Sequence, residues 1–197
     1  MDADAPLTRA QLEAALSAHQ PTEVSAAVAP RRAAVAAVFR FDGVPRVLLM
    51  KRAERPGDRW SGQVSFPGGR AEPEDRDLQE TAVRETREEV GLDIVATCEP
   101  IGRLDDVMAV ARGRILPMAI SPFVFALVRD APLQLGPEAS DAFWMPVGPA
   151  MSGALDTSHE WKLGPMPMRF PAWSYDGHVI WGLTYKMLSE LFGMLHP

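Results

Sequence analysis

The sequence predicts an α/β domain in which a mixed β-sheet is packed between helices. Short runs rich in apolar and β-branched residues recur along the chain, which predicts strands. Segments with helical periodicity and capping signals lie between and after these runs. A length of 197 residues suits one domain with a substantial core. Strands interspersed with helices at this size favour a sheet covered by helices.

The first predicted element is a helix from Thr8 to Ala18. Thr8 and Gln11 have the spacing of a capping box, in which each residue satisfies a backbone N–H of the other. Residues 19–32 follow as a loop rich in alanine and proline. We therefore expect residues 1–32 to form an N-terminal helix and linker, and residues 33–197 to form the main domain.

Apolar runs between turn signals predict the strands and the last helices. The dipeptides Asp42-Gly43 and Asp176-Gly177 each join two such runs, and Asp-Gly favours the turn of a β-hairpin. The predicted strands are Ala33–Phe41, Arg46–Arg52, Gly62–Phe66, Asp93–Arg103, Ile115–Val128, Ala139–Met145, Arg169–Tyr175 and His178–Trp181. The predicted later helices are a short one over Pro146–Gly153 and an amphipathic one over Leu183–Leu195.

A further helix with its own start and stop signals is predicted after Asp77. Asp77 and Glu80 have capping-box spacing, and Gly91 stands where a left-handed C-terminal cap is expected. Apolar or small residues recur every four positions and predict the buried side of this helix. They are Leu78, Ala82, Thr86 and Val90, with Val83 beside them.

Three acids share one face of this helix. Glu85, Glu88 and Glu89 lie at i, i+3 and i+4, where like charges repel by roughly 0.2–0.5 kcal/mol per pair. A divalent hard cation reverses that repulsion, because such cations prefer oxygen ligands. We expect these acids to point away from the core. A solvated charged face is the alternative; it explains Arg84 with Glu88 but not Glu85 beside both other acids.

These residues resemble the Nudix box, whose form is G-x5-E-x7-R-E-U-x-E-E-x-G-U with U aliphatic. The match runs from Gly69 to Leu92. It departs from the usual form at three points: fourteen residues separate Gly69 from Arg84, Asp75 stands about where the first glutamate belongs, and Thr86 replaces an aliphatic residue. The longer form with Asp is similar to the coenzyme A pyrophosphatase branch of that family.

Two other segments carry the same resemblance, Gly62–Gly69 before the box and Val179–Thr184 near the C-terminus. The resemblance covers roughly residues 33–195. It implies a Nudix-type α/β/α sandwich, and it implies hydrolysis of a diphosphate linkage in a nucleotide derivative. The substrate favoured by this branch is coenzyme A or acyl-coenzyme A, which would yield 3′,5′-ADP and (acyl-)4′-phosphopantetheine.

The resemblance also assigns roles to residues. Glu85, Glu88 and Glu89 would bind Mg²⁺ or Mn²⁺, and Arg84 would hold a box glutamate in place. Glu138 stands just ahead of a predicted strand, where family members often have a further metal ligand or the general base; a surface glutamate is the alternative. Glu88, Glu138 and Arg84 are therefore the predicted catalytic residues.

Substrate binding is assigned to the glycine loop and to two arginines. Gly68 and Gly69 would let the backbone approach the substrate closely. Arg52 and Arg59 could bind phosphate oxygens with paired hydrogen bonds, or could lie in a solvated loop. The spacing Arg59-x2-Gly62 departs from the branch pattern, which has one more residue. The polar loop holding Asp105, Asp106, Arg112 and Arg114 is interpreted as a surface turn rather than a wall of the substrate pocket.

Composition limits the class of protein. The formal net charge is −6 with no basic stripe, which disfavours nucleic-acid binding. An acidic N-terminus, no apolar run of about 18 residues and a lone Cys98 favour a cytoplasmic protein without a membrane segment. The expected partner is a small-molecule nucleotide, and the oligomeric state stays open, a homodimer included.

The rival substrates within the family are ADP-ribose, dinucleotide polyphosphates and oxidised nucleoside triphosphates. From a different class, the domain could be a nucleotide sensor without catalytic activity. The presence of Arg84 and of all three box glutamates argues against a sensor, because degenerate versions of the motif usually lose some of them.

Overall fold

The computed structural model describes residues 7–58, 60–111, 113–163 and 166–195. The helices in these ranges are α1 Arg9–Ala18, α2 Leu78–Val90, α3 Ile94–Thr97, α4 Val147–Met151 and α5 Gly182–Leu195. The strands are β1 Arg31–Arg40, β2 Arg46–Arg52, β3 Val64–Ser65, β4 Gly68–Arg70, β5 Cys98–Arg103, β6 Val107–Ala111, β7 Arg114–Leu127, β8 Ala139–Pro146, β9 Asp156–Leu163, β10 Met166–Tyr175 and β11 His178–Trp181.

The main sheet is mixed, as predicted. Its order in the described ranges is β3-β2-β1-β7-β5, with β4 paired to β1, β6 to β7 and β8 to β2. The central pair, β1 and β7, is parallel, whereas β2 and β4 run antiparallel to β1. A second, antiparallel sheet has the order β11-β10-β9.

Both faces of the central strands are buried because helices cover both sides. On β1, Ala34, Ala36 and Val38 belong to the core that includes Ala82 and Val90 of α2. Their neighbours Ala37 and Phe39 belong to the core formed with α1 and α5. This alternation places the mixed sheet between two helical layers. The predicted α/β/α sandwich is therefore confirmed.

The N-terminal helix is capped as the sequence predicts. The backbone N–H of Thr8 donates to Gln11 Oε1 over 2.8 Å, and the N–H of Gln11 donates back to Thr8 Oγ1. Leu12 and Leu16 are buried in the core that also holds Leu188 and Leu191 of α5. The helix thus packs onto the rest of the molecule, and the division of the chain at residues 32 and 33 stays a prediction.

Helix α2 also begins and ends as predicted. Asp77 accepts a hydrogen bond from the N–H of Glu80 over 2.8 Å. The side chain of Glu80 accepts from the N–H of Arg76 rather than of Asp77, so the predicted capping box is only half formed. Gly91 adopts φ 69°, a left-handed conformation that favours glycine at the end of a helix.

The two predicted hairpins are confirmed. Strands β1 and β2 pair around Asp42-Gly43, and β10 pairs with β11 around Asp176-Gly177. Asp176 and Gly177 have φ of 49° and 77°, as a two-residue turn with two left-handed positions requires. Strand β8 and helices α4 and α5 also lie within a few residues of their predicted bounds.

Three predictions about strands were wrong or incomplete. The strand expected over Asp93–Arg103 begins only at Cys98, because Asp93 instead caps the short helix α3 by accepting from the N–H of Ala96. Strand β9 was not predicted, since its first residues are polar. Strand β6 lies within what was expected to be a loop.

The interpretation of Asp106 as part of a surface turn was also wrong. Its side chain is fully buried and accepts four hydrogen bonds, from the N–H of Val24 and from Arg32, Arg103 and Ser121, over 2.6–2.9 Å. Burial alone would raise the pKa of Asp106, but the hydrogen bonds, led by that from Ser121, hold it below its usual value. Asp106 therefore fastens the N-terminal segment to the sheet. Arg112 of the same loop lies outside the described residues.

None of the described helices is long and apolar enough to cross a membrane.

Candidate active site

A cleft of about 1140 Å³ brings most of the predicted site residues together. Helix α2 contributes its acids and β2 contributes Arg52. The glycines come from residues 66–69, here called the glycine loop, which run from the end of β3 into the start of β4. The predicted residues that line it are Arg52, Gly68, Gly69, Arg84, Glu85, Glu88, Glu89 and Glu138. Arg59, also predicted to bind substrate, lies outside the described residues. Among the predicted residues, the cleft therefore joins positions as far apart in the sequence as Arg52 and Glu138.

The three box glutamates differ in exposure. Their side chains are 15% exposed for Glu85, 58% for Glu88 and 2% for Glu89. The prediction that all three point away from the core was wrong for Glu89, which faces the glycine loop. Its carboxylate accepts a hydrogen bond from the backbone N–H of Gly68 over 2.8 Å, and this contact draws it inward.

Burial perturbs two of these acids. It raises the pKa of Glu89 to about 7, although the hydrogen bond from Gly68 and the positive charge of Arg52 act in the opposite direction. Burial also raises the pKa of Glu85, and the charge of Arg84 partly offsets that effect. The nearest atoms of Arg52 and Glu89 are 3.6 Å apart, so this pair interacts by charge without a hydrogen bond. Additional positive charge would stabilise the ionised forms of Glu85 and Glu89.

Arg84 connects the acids through a fork of hydrogen bonds. Its Nε and Nη2 each donate to Asp75 over 3.0 Å, while Nη1 donates to Glu85 over 3.1 Å and to Glu88 over 3.3 Å. The expected contact between Arg84 and box glutamates is present, but its bidentate partner is Asp75. This guanidinium holds the pKa of Asp75 well below its usual range. Asp75 thus fixes the position of Arg84, which in turn orients two glutamates.

The glycine loop leaves room for the acids. A Cβ added at Gly69 would collide with the carboxylate of Glu85, so any larger residue there would have to push that carboxylate aside. Gly68 supplies the N–H that Glu89 accepts. Strand β3, just before the loop, is bonded to the start of α5, since Thr184 Oγ1 donates to the carbonyl oxygen of Val64 over 3.1 Å. The two segments that extend the motif in the sequence are therefore in contact.

Glu138 lies at the rim of the cleft with arginine partners. Its Oε1 accepts from Arg55 Nη1 over 3.0 Å, and its Oε2 lies 4.0 Å from Arg52 Nη2. Its side chain is 48% exposed, which leaves it accessible to a bound molecule. Arg52 also donates to Asp58 over 3.1 Å. Asp58 and Arg55 were not among the predicted site residues, and only their spacing from Arg52 could have indicated them.

The donor set suits a hard divalent cation. Among the described residues, no three acidic, histidine or cysteine side chains already converge on one point as metal ligands do. Glu85, Glu88 and Glu89 nevertheless line one cleft, and Glu85 fills a space that only glycine at position 69 leaves open. A cation held by these three carboxylates would compete with Arg84 Nη1 for Glu85 and Glu88. Oxygen-only ligands fit Mg²⁺ or Mn²⁺ rather than softer metals.

Apolar walls of the same cleft were not predicted from the sequence. One comes from the second sheet and consists of the aromatic residues Trp161, Phe170 and Trp181 with Met168 beside them. Another is aliphatic and comes from β6 and β7: Val110, Met118 and Ile120. The aromatic residues of the predicted hairpin were the available signal, but without β9 the face that Trp161 shares with Phe170 and Trp181 could not be identified.

Comparison with known proteins supports the motif. A family model of the NUDIX domain matches residues 30–166. The chain is 32% identical to the mitochondrial coenzyme A diphosphatase NUDT8 of Mus musculus over 79% of this chain and 73% of that protein. It is 30% identical to NUDT8 of Homo sapiens over 79% of this chain and 65% of that protein.

A solved structure supports the fold. The MutT protein from Methanosarcina mazei Go1 aligns with a TM-score of 0.50 at 18% identity, over 90% of this chain and 96% of that chain. At this identity the likeness concerns the fold alone. Together these comparisons confirm the resemblance indicated by the residues from Gly69 to Leu92.

Proposed function

Because the chain belongs to the Nudix hydrolase family and is a pyrophosphatase, we propose that it hydrolyses the diphosphate of coenzyme A or acyl-coenzyme A. The products would be 3′,5′-ADP and (acyl-)4′-phosphopantetheine. The observation that carries this proposal is the cleft in which Glu85, Glu88 and Glu89 lie beside the Gly68-Gly69 loop. The similarity to two coenzyme A diphosphatases favours this substrate over other nucleotide diphosphates.

Glu85, Glu88 and Glu89 would hold Mg²⁺ or Mn²⁺. When bound, the cation would neutralise charge on the diphosphate and lower the pKa of a coordinated water. The donor chemistry supports this role, since burial leaves Glu85 and Glu89 with raised pKa. A buried carboxylate in that state gains from a positive partner.

Arg84 is proposed as a positioning residue. Its bidentate bond to Asp75 leaves Nη1 directed at Glu85 and Glu88, so rotation of the guanidinium would break several hydrogen bonds together. Such outer contacts orient the groups that act on a substrate, and their loss commonly costs about 10–100-fold in activity. Gly68 has the same effect on Glu89 through its backbone N–H.

Glu138 is proposed as the general base that orients and deprotonates the attacking water. Its exposed carboxylate lies at the rim of the same cleft, and Arg55 holds one of its oxygens. The other oxygen lies 4.0 Å from Arg52, which leaves it available to accept a proton.

Arg52 and Arg59 are proposed to bind phosphate oxygens, with Gly68 and Gly69 allowing close approach of the substrate. Arg52 lines the cleft and is 22% exposed, so its guanidinium is accessible to an anion while Asp58 holds one edge. Coenzyme A carries a 3′-phosphate beyond its diphosphate, and an arginine would recognise it by charge-assisted hydrogen bonds.

The deciding experiment measures the rate at which the protein hydrolyses the diphosphate bond of each substrate in a panel, with Mg²⁺ or Mn²⁺ present. The panel contains coenzyme A, an acyl derivative, dephospho-coenzyme A, ADP-ribose and a dinucleotide polyphosphate. We expect coenzyme A or its acyl derivative to be hydrolysed fastest, and loss of the 3′-phosphate to cost about 1.5–3 kcal/mol in kcat/KM. Arg59→Ala should shrink that difference. Faster hydrolysis of ADP-ribose would refute the substrate, and binding without hydrolysis of any member would favour a sensor.

A further inference from the structure

The second sheet presents an aromatic face to the cleft. Residues Trp161 on β9, Phe170 on β10 and Trp181 on β11 share this face, since successive residues of a strand alternate sides and the strand register places them together. All three line the cleft. The opposite face is in the core, where Trp173 and Ile180 pack against α5. The sheet therefore separates a core side from a side open to a ligand.

The rings on this face are packed against one another. The ring of Trp181 lies 4.1 Å from that of His159 at an interplanar angle of 27°, and 5.2 Å and 5.9 Å from the rings of Trp161 and Phe170. Each ring remains partly exposed. Rings held by such contacts lose little further freedom when a flat molecule binds, so they form a pre-ordered surface.

We propose that this aromatic wall, Trp161, Phe170 and Trp181, holds the purine base of the substrate's nucleotide half by stacking. The inference rests on the proposed diphosphatase function, because the wall belongs to the same cleft as the carboxylates of α2. Aromatic rings bind any base through its flat face, and purines offer the larger area. The apolar arm of the substrate then belongs on the aliphatic wall, Val110, Met118 and Ile120, where Trp60 supplies one ring instead of a cluster of three.

The first test compares coenzyme A with an abasic analogue that keeps the ribose and both phosphate groups. We expect the wild type to favour the base-containing substrate in kcat/KM by between about fivefold and about 150-fold, the worth of one stacked base. Trp161→Leu keeps an apolar side chain but removes the flat ring, so the preference should shrink. Trp161→Phe should keep most of it. Val179→Ala changes an exposed residue of the same sheet that does not line the cleft, and should leave the preference unchanged.

The second test measures binding without turnover. Titration of 3′,5′-ADP in the presence of a chelator should quench the tryptophan fluorescence of the wild type, because a stacked base quenches an indole. Trp181→Leu should need severalfold more nucleotide for the same fractional quenching, while abasic ribose bisphosphate should not quench either protein. Thermal unfolding of each variant shows whether its fold is retained.

Two outcomes would overturn the inference. If Trp161→Leu slows the base-containing and abasic substrates equally, the wall does not bind the base. If that variant instead changes the dependence on acyl-chain length, the wall holds the acyl arm. A wild type that hydrolyses no diphosphate would refute the proposed function, whereas fluorescence quenching by 3′,5′-ADP would still decide whether the wall binds a purine.

Discussion

Two buried carboxylates, Asp106 near the N-terminal segment and Glu89 in the cleft, have opposite electrostatic environments. Their side chains are 0% and 2% exposed. Asp106 accepts four hydrogen bonds, two of them from arginines, whereas Glu89 accepts one from a backbone N–H and has Arg52 at 3.6 Å. As a result the pKa of Asp106 is lowered and that of Glu89 is raised to about 7.

The difference shows that burial alone does not reveal what a carboxylate does. Asp106 is fully paired within the protein, so its charge stabilises the fold. Glu89 is buried with too few donors, which is a cost to stability that a functional site can tolerate. We therefore expect substitutions at the two positions to separate stability from activity.

Glu89→Gln should have the largest effect on catalysis. Loss of one carboxylate from the proposed cation-binding set should lower kcat/KM by about 10³-fold, equivalent to about 4 kcal/mol. The free energy of unfolding should stay the same or increase, because a neutral amide costs less to bury than an under-paired charge. Steady-state kinetics at saturating Mg²⁺ and urea unfolding without metal measure the two effects.

Glu80→Gln is the matched control for that experiment. Glu80 lies on the same helix and carries the same charge, but it pairs with Arg76 outside the cleft. Its substitution should leave kcat/KM within about twofold of wild type, because Glu80 does not line the cleft. Full activity of Glu89→Gln would show that Glu89 does not bind the proposed cation. The two buried carboxylates would then not differ in their contribution to activity.

Asp106→Asn should show the opposite pattern. The substitution leaves Arg32 and Arg103 without their shared carboxylate, and breaking a buried pair in this way costs about 3 kcal/mol of unfolding free energy. The kcat should remain within about twofold of wild type. Asp105→Asn is the control, because Asp105 is 42% exposed and should cost about 1 kcal/mol or less. A tenfold loss of kcat at unchanged stability would place Asp106 in the catalytic machinery instead.

Much of the fold was predictable because its signals are local. Each of these signals acts on residues close to it in the sequence: the capping box of Thr8 and Gln11, the cap at either end of α2, and the two Asp-Gly turns. The structure has the helices and hairpins that they predict. The wrong prediction at Asp93 has a local cause too, because an aspartate before an apolar run can equally cap a helix.

The long-range contacts were not predictable from a single sequence. The role of Asp106 depends on Arg32, which is 74 positions away, and that of Glu89 depends on the N–H of Gly68. Residue pattern alone assigned Glu85, Glu88 and Glu89 to one face, since helical spacing fixes that. It could not show that Glu89 turns inward, because its partner lies on another element.

Glu138→Gln tests a carboxylate whose environment is intermediate between those of Asp106 and Glu89. Glu138 has an arginine partner, but its side chain is half exposed. If Glu138 is the base, kcat should fall by about 10²-fold with little change in KM, since the proton transfer occurs only in the transition state. Unfolding free energy should change by less than about 1 kcal/mol, as for other exposed pairs. Arg55→Gln removes the partner but keeps the base, and should cost less in kcat. A Glu138→Gln enzyme within twofold of wild type would leave Glu138 a surface residue.

Acidification gives a smaller effect through Asp106. Its folded pKa lies below the unfolded value of about 3.9, so its stabilising contribution is complete above that value. The contribution is lost as the pH falls through the lower, folded pKa, and the loss should be a fraction of the cost of Asp106→Asn at pH 7. Urea midpoints of wild type and Asp106→Asn should therefore differ by a constant amount from pH 7 to about pH 4, and the difference should shrink as the pH falls further. A difference that stays constant below about pH 4 would show that Asp106 does not titrate with unfolding.

Thr8→Ala should have the smallest effect. It tests whether the N-terminal segment, like Asp106, contributes to stability and not to activity. Removing the cap leaves the N–H of Gln11 without its side-chain acceptor, which costs about 1 kcal/mol. For a chain of this length the unfolding temperature should fall by about 2–4 °C. Thr8→Ser keeps the acceptor and should stay within a few tenths of a kcal/mol of wild type.

The value of this last substitution lies in how α1 is coupled to the core. Leu12 and Leu16 pack in the same core as Leu188, so a weakened cap should lower the stability of the whole domain in a single transition. A separate early transition, with the main unfolding unchanged, would instead show that the N-terminal helix and linker unfold independently of the main domain. In both cases kcat should be unchanged, because no residue of α1 lines the cleft.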